Sequence, residues 1–124
     1  MKSTFFLFKH QIDGEIRLEA DEQRVYFTCR WPFDLSNDNW DEWTDITNTF
    51  AFGKYRSSIM RLAKGKEVTI RGIHGGHLSL KVLGKNKIEM IVAEKNSNSN
   101  TEFTITLTAS AEELLPKNIL QCRE

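Results

Sequence analysis

The sequence lacks the features that mark several protein classes. It has no run near the roughly 18 apolar residues that cross a bilayer, and its 17 Lys and Arg balance 17 Asp and Glu. Zero net charge excludes a chain that binds DNA through bulk positive charge, although a local basic patch stays open. With 124 residues, 40% of them hydrophobic and 27% charged, the composition predicts one ordinary globular domain, residues 1–124.

Cysteine is also scarce. Cys29 and Cys122 lie far apart and lack metal-ligand spacing. Cys29 alternates with Val25 and Phe27, which is typical of a small core residue, and a disulfide would need a secretion route that the sequence does not show. The apolar run Phe5–Phe8 is shorter than the roughly 7–15 residues of a signal-peptide core. We therefore expect a buried strand there and a cytoplasmic protein.

Catalytic motifs are absent from the sequence. It contains no G-x-S-x-G, no Walker loop, no H-E-x-x-H and no C-x-x-C, so we expect no catalytic residue and no cofactor. His74-Gly75-Gly76-His77 places two imidazoles in a turn, but a zinc site needs one or two further ligands. A Gly-Gly hairpin turn with exposed histidines at the strand ends is the favoured interpretation. Whether His74 and His77 bind metal stays open.

Period-2 alternation is the strongest structural signal. Val25, Phe27 and Cys29, for example, alternate with more polar residues, and alternation of this kind indicates strands with one face on a core and one in water. Such strands are typical of antiparallel sheets, because parallel strands covered on both faces are continuously apolar. Turn signals separate the strands. The predicted strands cover about residues 5–10, 15–20, 24–31, 67–73, 77–83, 87–94 and 101–108.

The middle of the chain has a different periodicity. Trp40, Trp43, Ile46 and Phe50 are spaced 3, 3 and 4 residues apart, which predicts a helical region over about residues 38–64. Gly53 leaves open whether this is one helix or two. Candidate end signals are Ser36 or Asp38 as the N-cap and Gly65 at the C-terminus.

The elements combine into one predicted fold class. Ser110 and Glu113 form a capping box before Pro116, which predicts a short helix at about residues 110–115. A sheet with one apolar face needs a cover, and the middle region is the largest helical candidate. We predict an α+β fold: a single antiparallel, curved sheet of about 6–7 strands, with the central helical region packed on one face and a short C-terminal helix.

Charge is segregated along the chain. Residues 1–52 carry a net charge of −5, residues 53–87 of +8 and residues 88–124 of −3. Five acids occur between Asp34 and Asp45 without a Lys or Arg, interleaved with two Trp residues. One interpretation is a solvated helix start with core tryptophans. The other is a surface for a basic partner, since clustered acids steer association and Trp is enriched at hot spots. The candidate partner-binding residues are Asp34, Asp38, Trp40, Asp41, Glu42, Trp43 and Asp45.

The basic residues support a different hypothesis. Strands between residues 66 and 87 carry lysines and arginines that suit phosphates, which predicts a small nucleic-acid-binding module as the alternative function. The exposed strand positions lack the stacking aromatics that sheet-based single-strand binders use, which makes nucleic acid an unlikely partner. Basic strands could instead pair with acidic neighbours across the sheet.

The layout resembles the immunity proteins of bacterial polymorphic-toxin and contact-dependent growth inhibition systems. The features that carry the resemblance are the acidic Trp segment Asn39-Trp40-Asp41-Glu42-Trp43, the strand at 75–82 and the closing strands with a capped helix. It is a resemblance of pattern and covers about residues 30–115. It implies an inhibitor that binds a cognate toxin domain and blocks its active site or an adjacent surface. Such toxins are often basic nucleases, which suits the acidic cluster.

Overall fold

A computed structural model describes residues 2–10, 14–32, 43–95 and 100–116 of the chain. Four strands come first, one helix follows, and four further strands lead to a 3₁₀ turn. The elements are β1 (Ser3–His10), β2 (Gly14–Ala20), β3 (Arg24–Pro32), β4 (Trp43–Ala51), α1 (Phe52–Ala63), β5 (Val68–Arg71), β6 (His77–Gly84), β7 (Lys87–Lys95), β8 (Asn100–Leu107) and the 3₁₀ helix Ala111–Leu114.

The described strands form two antiparallel sheets rather than one. The first sheet has the order β1-β2-β3-β4 and the second has the order β5-β6-β7-β8. The predicted α+β class and antiparallel pairing are confirmed, but the single sheet of 6–7 strands is wrong. Each sheet pairs only strands that are consecutive in sequence, and α1 separates β4 from β5. Alternation identifies a strand and its buried face, but it does not specify which strands are neighbours.

The inner faces of both sheets, α1 and the 3₁₀ helix contribute to one apolar core. Because each sheet is apolar on one face only, packing the two faces together with the helix removes both from water. Cys29 lies in this core with no exposed surface, as the alternation of β3 predicts. The largest side chains buried in the described core are Tyr55, Phe27, Phe50, Ile16, Leu18, Ile46, Ile59 and Leu62.

The predicted helical region over residues 38–64 is wrong for residues 43–51, which form β4. Within this strand Ile46, Asn48 and Phe50 are buried, and Thr47 between them is exposed. The strand therefore alternates, but its central inward residue is polar, which hides the period from an apolar pattern. Thr and Ile also favour a strand over a helix because their branched Cβ restricts the side chain in a helix.

The helix α1 begins at Phe52, directly after β4. Phe52, Tyr55, Ile59 and Leu62 are buried and share one face. The N-cap is Ala51, with no side-chain cap, so neither Ser36 nor Asp38 caps this helix. The Phe52 amide instead donates to the Gln23 carbonyl at 2.9 Å. Gly65 ends the helix with a φ of 90°, as predicted, since that conformation suits glycine.

Two hydrogen bonds join β4 to the second half of the chain. The Ile73 amide donates to the Thr49 carbonyl at 2.7 Å, which fixes the turn between β5 and β6 against β4. The buried Asn48 side-chain amide lies 3.5 Å from the Ala93 carbonyl on β7. This second contact gives the polar Asn48 a partner inside the core, as a buried amide requires.

The 3₁₀ helix is anchored to α1 by a buried hydrogen bond. The predicted capping box is present: the Ser110 amide donates to Glu113 Oε2 at 2.7 Å. The helix covers four residues, shorter than the predicted 110–115. Tyr55 Oη donates to the Leu114 carbonyl at 2.7 Å, and burial raises the pKa of Tyr55. The hydroxyl is therefore a protonated donor at neutral pH.

Tyr55→Phe is expected to lower the free energy of unfolding by about 1–2 kcal/mol, because the Leu114 carbonyl loses its buried donor while the ring packing stays. Urea unfolding followed by circular dichroism measures the change. Tyr26→Phe is the control, since the Tyr26 hydroxyl hydrogen bond is only partly buried. An equal loss in both variants would contradict the anchoring role of Tyr55.

The turn between β2 and β3 depends on an ionised carboxylate. Asp21 Oδ1 accepts hydrogen bonds from the amides of Gln23 and Arg24 at 2.8 and 2.9 Å, and Oδ2 accepts from Tyr26 Oη at 2.8 Å. The Gln23 amide first, then the Arg24 amide and the Tyr26 hydroxyl, lower the pKa of Asp21. The charged form therefore stabilises the folded hairpin.

Asp21→Asn is expected to destabilise the protein at pH 7 and to lose that effect in acid. A carboxyl with a lowered folded pKa contributes fully above its unfolded pKa of about 3.9, and its contribution disappears as pH falls through the folded pKa. Urea titrations of both chains at pH 7 and at pH 3 measure the difference. A difference that does not shrink at pH 3 would contradict this account.

Candidate binding surface

The structure divides the predicted partner-binding residues into two groups. Asp34, Asp38, Trp40, Asp41 and Glu42 lie between residues 33 and 42, outside the described residues. Trp43 and Asp45 lie at the start of β4. Both residues were expected in the helical region over about residues 38–64, and that expectation is wrong for them because they belong to a strand.

The ladder between β3 and β4 fixes where the undescribed acids are attached. Pro32 and Trp43 are partners in the antiparallel register, so the ten residues between them leave and re-enter the first sheet at neighbouring positions. We call residues 33–42 the acidic connection. It carries four acids and no Lys or Arg, and it is longer than the 2–5 residues of most hairpin loops. Long connections at strand ends often carry binding residues.

Asp45 belongs to a row of alternating charge across the first sheet. The register aligns Lys9 with Glu15, Glu15 with Arg30 and Arg30 with Asp45. Opposite charges on directly opposed strand positions attract each other. Glu15 also pairs with Arg17 at 3.2 Å. Asp45 therefore occupies a strand position directly opposite Arg30, whereas the four acids of the acidic connection lie outside the described residues.

The outer face of the second sheet is polar. The register aligns Thr69 with Ser79, Ser79 with Ile91 and Ile91 with Thr104, and the Thr69 and Ser79 hydroxyls lie 3.0 Å apart. Among the side chains described on this face there is no Phe, Tyr or Trp. A nucleic acid strand would therefore meet Arg71 and Lys81 on this face but no described ring on which a base could stack.

The two histidines of the turn between β5 and β6 do not form a ligand cluster with other described residues. His74 is exposed, and His77 Nε2 lies 4.0 Å from Glu102 Oε2. In the described ranges no three His, Cys, Asp or Glu residues are grouped closely enough to hold a metal ion. Cys29 is buried, and Cys122 lies outside those ranges.

A surface that the sequence pattern did not single out lies at the hairpin end between β6 and β7. Every residue from Lys81 to Lys87 is exposed, including the apolar Val82 and Leu83. The sequence contains one sign of this surface: Leu83 is apolar at a position where the alternation of β6 predicts a polar residue.

Among the described elements, no helix is both long and apolar enough to span a membrane.

Comparisons with protein-family models, with curated proteins and with solved structures found no match to this chain.

Proposed function

We propose that this chain is a non-enzymatic binding protein that recognises a basic protein partner through the acidic connection. One observation carries the proposal: four acids and Trp40, with no basic residue, occupy a ten-residue segment between adjacent strand positions of a rigid sheet. The sheet supplies a fixed platform, and the segment supplies charge that the neighbouring sequence does not neutralise. Loops on a rigid scaffold are a common arrangement for recognition.

The two kinds of residue in the connection have separate roles. Asp38, Asp41 and Glu42 steer a basic partner and reject acidic competitors, because like charges brought together cost several kcal/mol. Trp40 supplies a large apolar anchor of the kind that dominates binding energy once it is desolvated. Trp43 at the strand start is the second candidate anchor.

The partner that fits this chemistry best is a toxin domain with a basic surface. We propose that the chain is an immunity-type inhibitor that neutralises such a toxin in the cytoplasm by covering its active site or an adjacent surface. The layout resemblance and the acidic connection support this proposal.

Affinity purification of the tagged full chain from its native host, with nuclease treatment and native mass spectrometry, tests the proposal. We expect one protein partner at fixed stoichiometry with an excess of Lys and Arg. Recovery of nucleic acid when the nuclease is omitted, with binding that weakens steeply as salt rises, would favour the nucleic-acid-binding alternative. Recovery of the chain alone under all conditions would contradict both functions.

A further inference from the structure

The hairpin between β6 and β7 projects past the strands on either side of it. β5 begins at Val68, whose partner on β6 is Leu80, so β6 continues for four residues beyond its pairing with β5. On the other side, β8 ends at Leu107, whose partner on β7 is Ile88. Residues 81–87 therefore extend beyond β5, and residues 83–87 extend beyond β8 as well. We call residues 81–87 the hairpin tip.

The hairpin tip exposes two consecutive aliphatic residues. Val82 is 37% exposed and Leu83 is 45% exposed. Single exposed apolar residues are ordinary on protein surfaces, but these two are adjacent in sequence. The register of β6 and β7 shifts between Val82 and Gly84, which places Leu83 at a bulge where the strand bends. The two aliphatic side chains are therefore neighbours at the bent end of the hairpin, where one apolar medium can cover both.

Basic residues surround the same end of the sheet. Lys81, Lys85 and Lys87 belong to the hairpin tip, and all three are exposed. β5 begins at Val68, opposite Leu80, which directly precedes the hairpin tip. Lys66 lies two residues before Val68, so the segment that joins α1 to β5 lies on the β5 side of the tip. Residues 61–67 and 81–89 together contain six basic and two acidic residues, a net charge of +4. Lys81 lies opposite Glu89 in the register of β6 and β7, and none of the six basic residues lies within ion-pair distance of an acid among the described residues. The six basic residues are Arg61, Lys64, Lys66, Lys81, Lys85 and Lys87.

We propose that the hairpin tip binds the surface of an anionic phospholipid bilayer. Val82 and Leu83 enter the interface between headgroups and acyl chains, and the surrounding lysines contact the lipid phosphates and carboxylates. Aliphatic side chains beside cations suit this interface, because burial of apolar area and attraction to anionic lipid act together. A nucleic acid would attract the same lysines but would leave two aliphatic side chains in water, since the tip has no aromatic residue for a base.

This inference goes beyond the proposed function and does not depend on it. The hairpin tip belongs to the second sheet and the acidic connection to the first, so a partner protein and a membrane would use separate surfaces. The inference gives the chain a place of action, the anionic face of a membrane, that is separate from the surface proposed for a protein partner.

Co-sedimentation of the full chain with lipid vesicles tests the proposal. We expect binding to vesicles of phosphatidylcholine mixed with phosphatidylserine and no binding to phosphatidylcholine alone. Lys85→Glu/Lys87→Glu is expected to weaken binding by about 25-fold or more, since each lysine near the surface contributes roughly fivefold. Val82→Ser/Leu83→Ser is expected to weaken it by about tenfold. Higher salt should weaken the wild-type chain as well.

A matched control variant distinguishes binding by the hairpin tip from nonspecific adsorption of exposed aliphatic residues to the vesicles. Leu7→Ser/Ile73→Ser removes two aliphatic residues of similar exposure, 47% and 46%, from β1 and from the turn at the other end of β6. It should bind the mixed vesicles as the wild type does, with all chains checked for folding by circular dichroism. Equal binding to both vesicle types, an equal loss in both serine pairs, or displacement of the chain from vesicles by duplex DNA or RNA at equal charge would overturn the proposal.

Discussion

Gly72→Ala is expected to lower the free energy of unfolding by about 3 kcal/mol, the largest change we predict for a single methyl group. A Cβ at residue 72 would lie 2.5 Å from the Gly75 carbonyl oxygen and 3.5 Å from the Thr49 carbonyl oxygen. The first contact is with backbone that is held in place, because the Gly72 amide donates to the Gly76 carbonyl at 3.0 Å. Relief requires the turn to move, which breaks the Ile73 to Thr49 hydrogen bond between the sheets.

The control for this prediction is the same substitution at Gly53. No atom lies within 4 Å of a Cβ built there, and residue 53 is in the first turn of α1. Gly53→Ala is expected to stabilise the protein by about 0.5 kcal/mol, because alanine loses less conformational entropy in a helix. Urea unfolding of both variants measures the two effects. Similar changes at the two positions would contradict the docking of the turn between β5 and β6 onto β4.

Reversing the charge of the acidic connection is expected to weaken partner binding by at least about a hundredfold. The variant is Asp38→Lys/Asp41→Lys/Glu42→Lys, and the measurement is calorimetric titration of the captured partner. Close charge pairs across an interface couple by about 1.5 kcal/mol or more, and reversal replaces attraction with repulsion. The described strands should keep their structure, because the substitutions lie outside the bounds of β3 and β4.

Asp45→Asn is the first control for the reversal. Asp45 is matched by register to Arg30 inside the sheet, so its removal should change partner affinity by no more than about threefold and stability by less than about 1 kcal/mol. Reversal of acids elsewhere, Glu22→Lys/Glu67→Lys/Glu112→Lys, is the second control, and it changes net charge by the same amount. An equal loss in this variant would show that total charge, and not the connection, governs binding.

Local patterns in the sequence carry most of the strand and helix information. The alternation of Val25, Phe27 and Cys29 predicts both β3 and its buried face, and all three residues are buried. The position of Gly65 predicts the end of α1, and the capping box predicts the turn that begins after Ser110. Each of these signals concerns residues that are close in sequence, where propensity and periodicity decide the structure.

The arrangement of the strands was not predictable in the same way. The partition into two sheets depends on contacts between distant residues, such as that between Ile73 and Thr49. Asn48 hid the alternation of β4, because it is a polar residue at an inward position. Its side-chain amide is tolerated there because it contacts the Ala93 carbonyl of the second sheet. A polar residue in a core is visible in sequence, but its distant partner is not.

The two candidate surfaces also differ in whether the sequence alone reveals them. The acids of the acidic connection form a cluster in sequence, so charge counting finds them without a fold. The hairpin tip required the structure, because β5 begins opposite Leu80 and leaves Val82 and Leu83 without a strand neighbour on that side, where both are exposed. Arg61 and Lys66 join this surface through the path of α1 into β5. The exposure of an apolar strand residue depends on where the neighbouring strands begin and end, and alternation within one strand does not predict this.

Parallel affinity purification of three tagged chains from the native host tests the central claim most directly. The chains are the wild type, the reversed acidic connection, and the control with Glu22, Glu67 and Glu112 reversed, each read by native mass spectrometry after nuclease treatment. We predict that the wild type and the control recover the same basic protein at the same stoichiometry, and that the reversed connection recovers none of it. Recovery of that protein by the reversed connection, at the wild-type level, would contradict the claim.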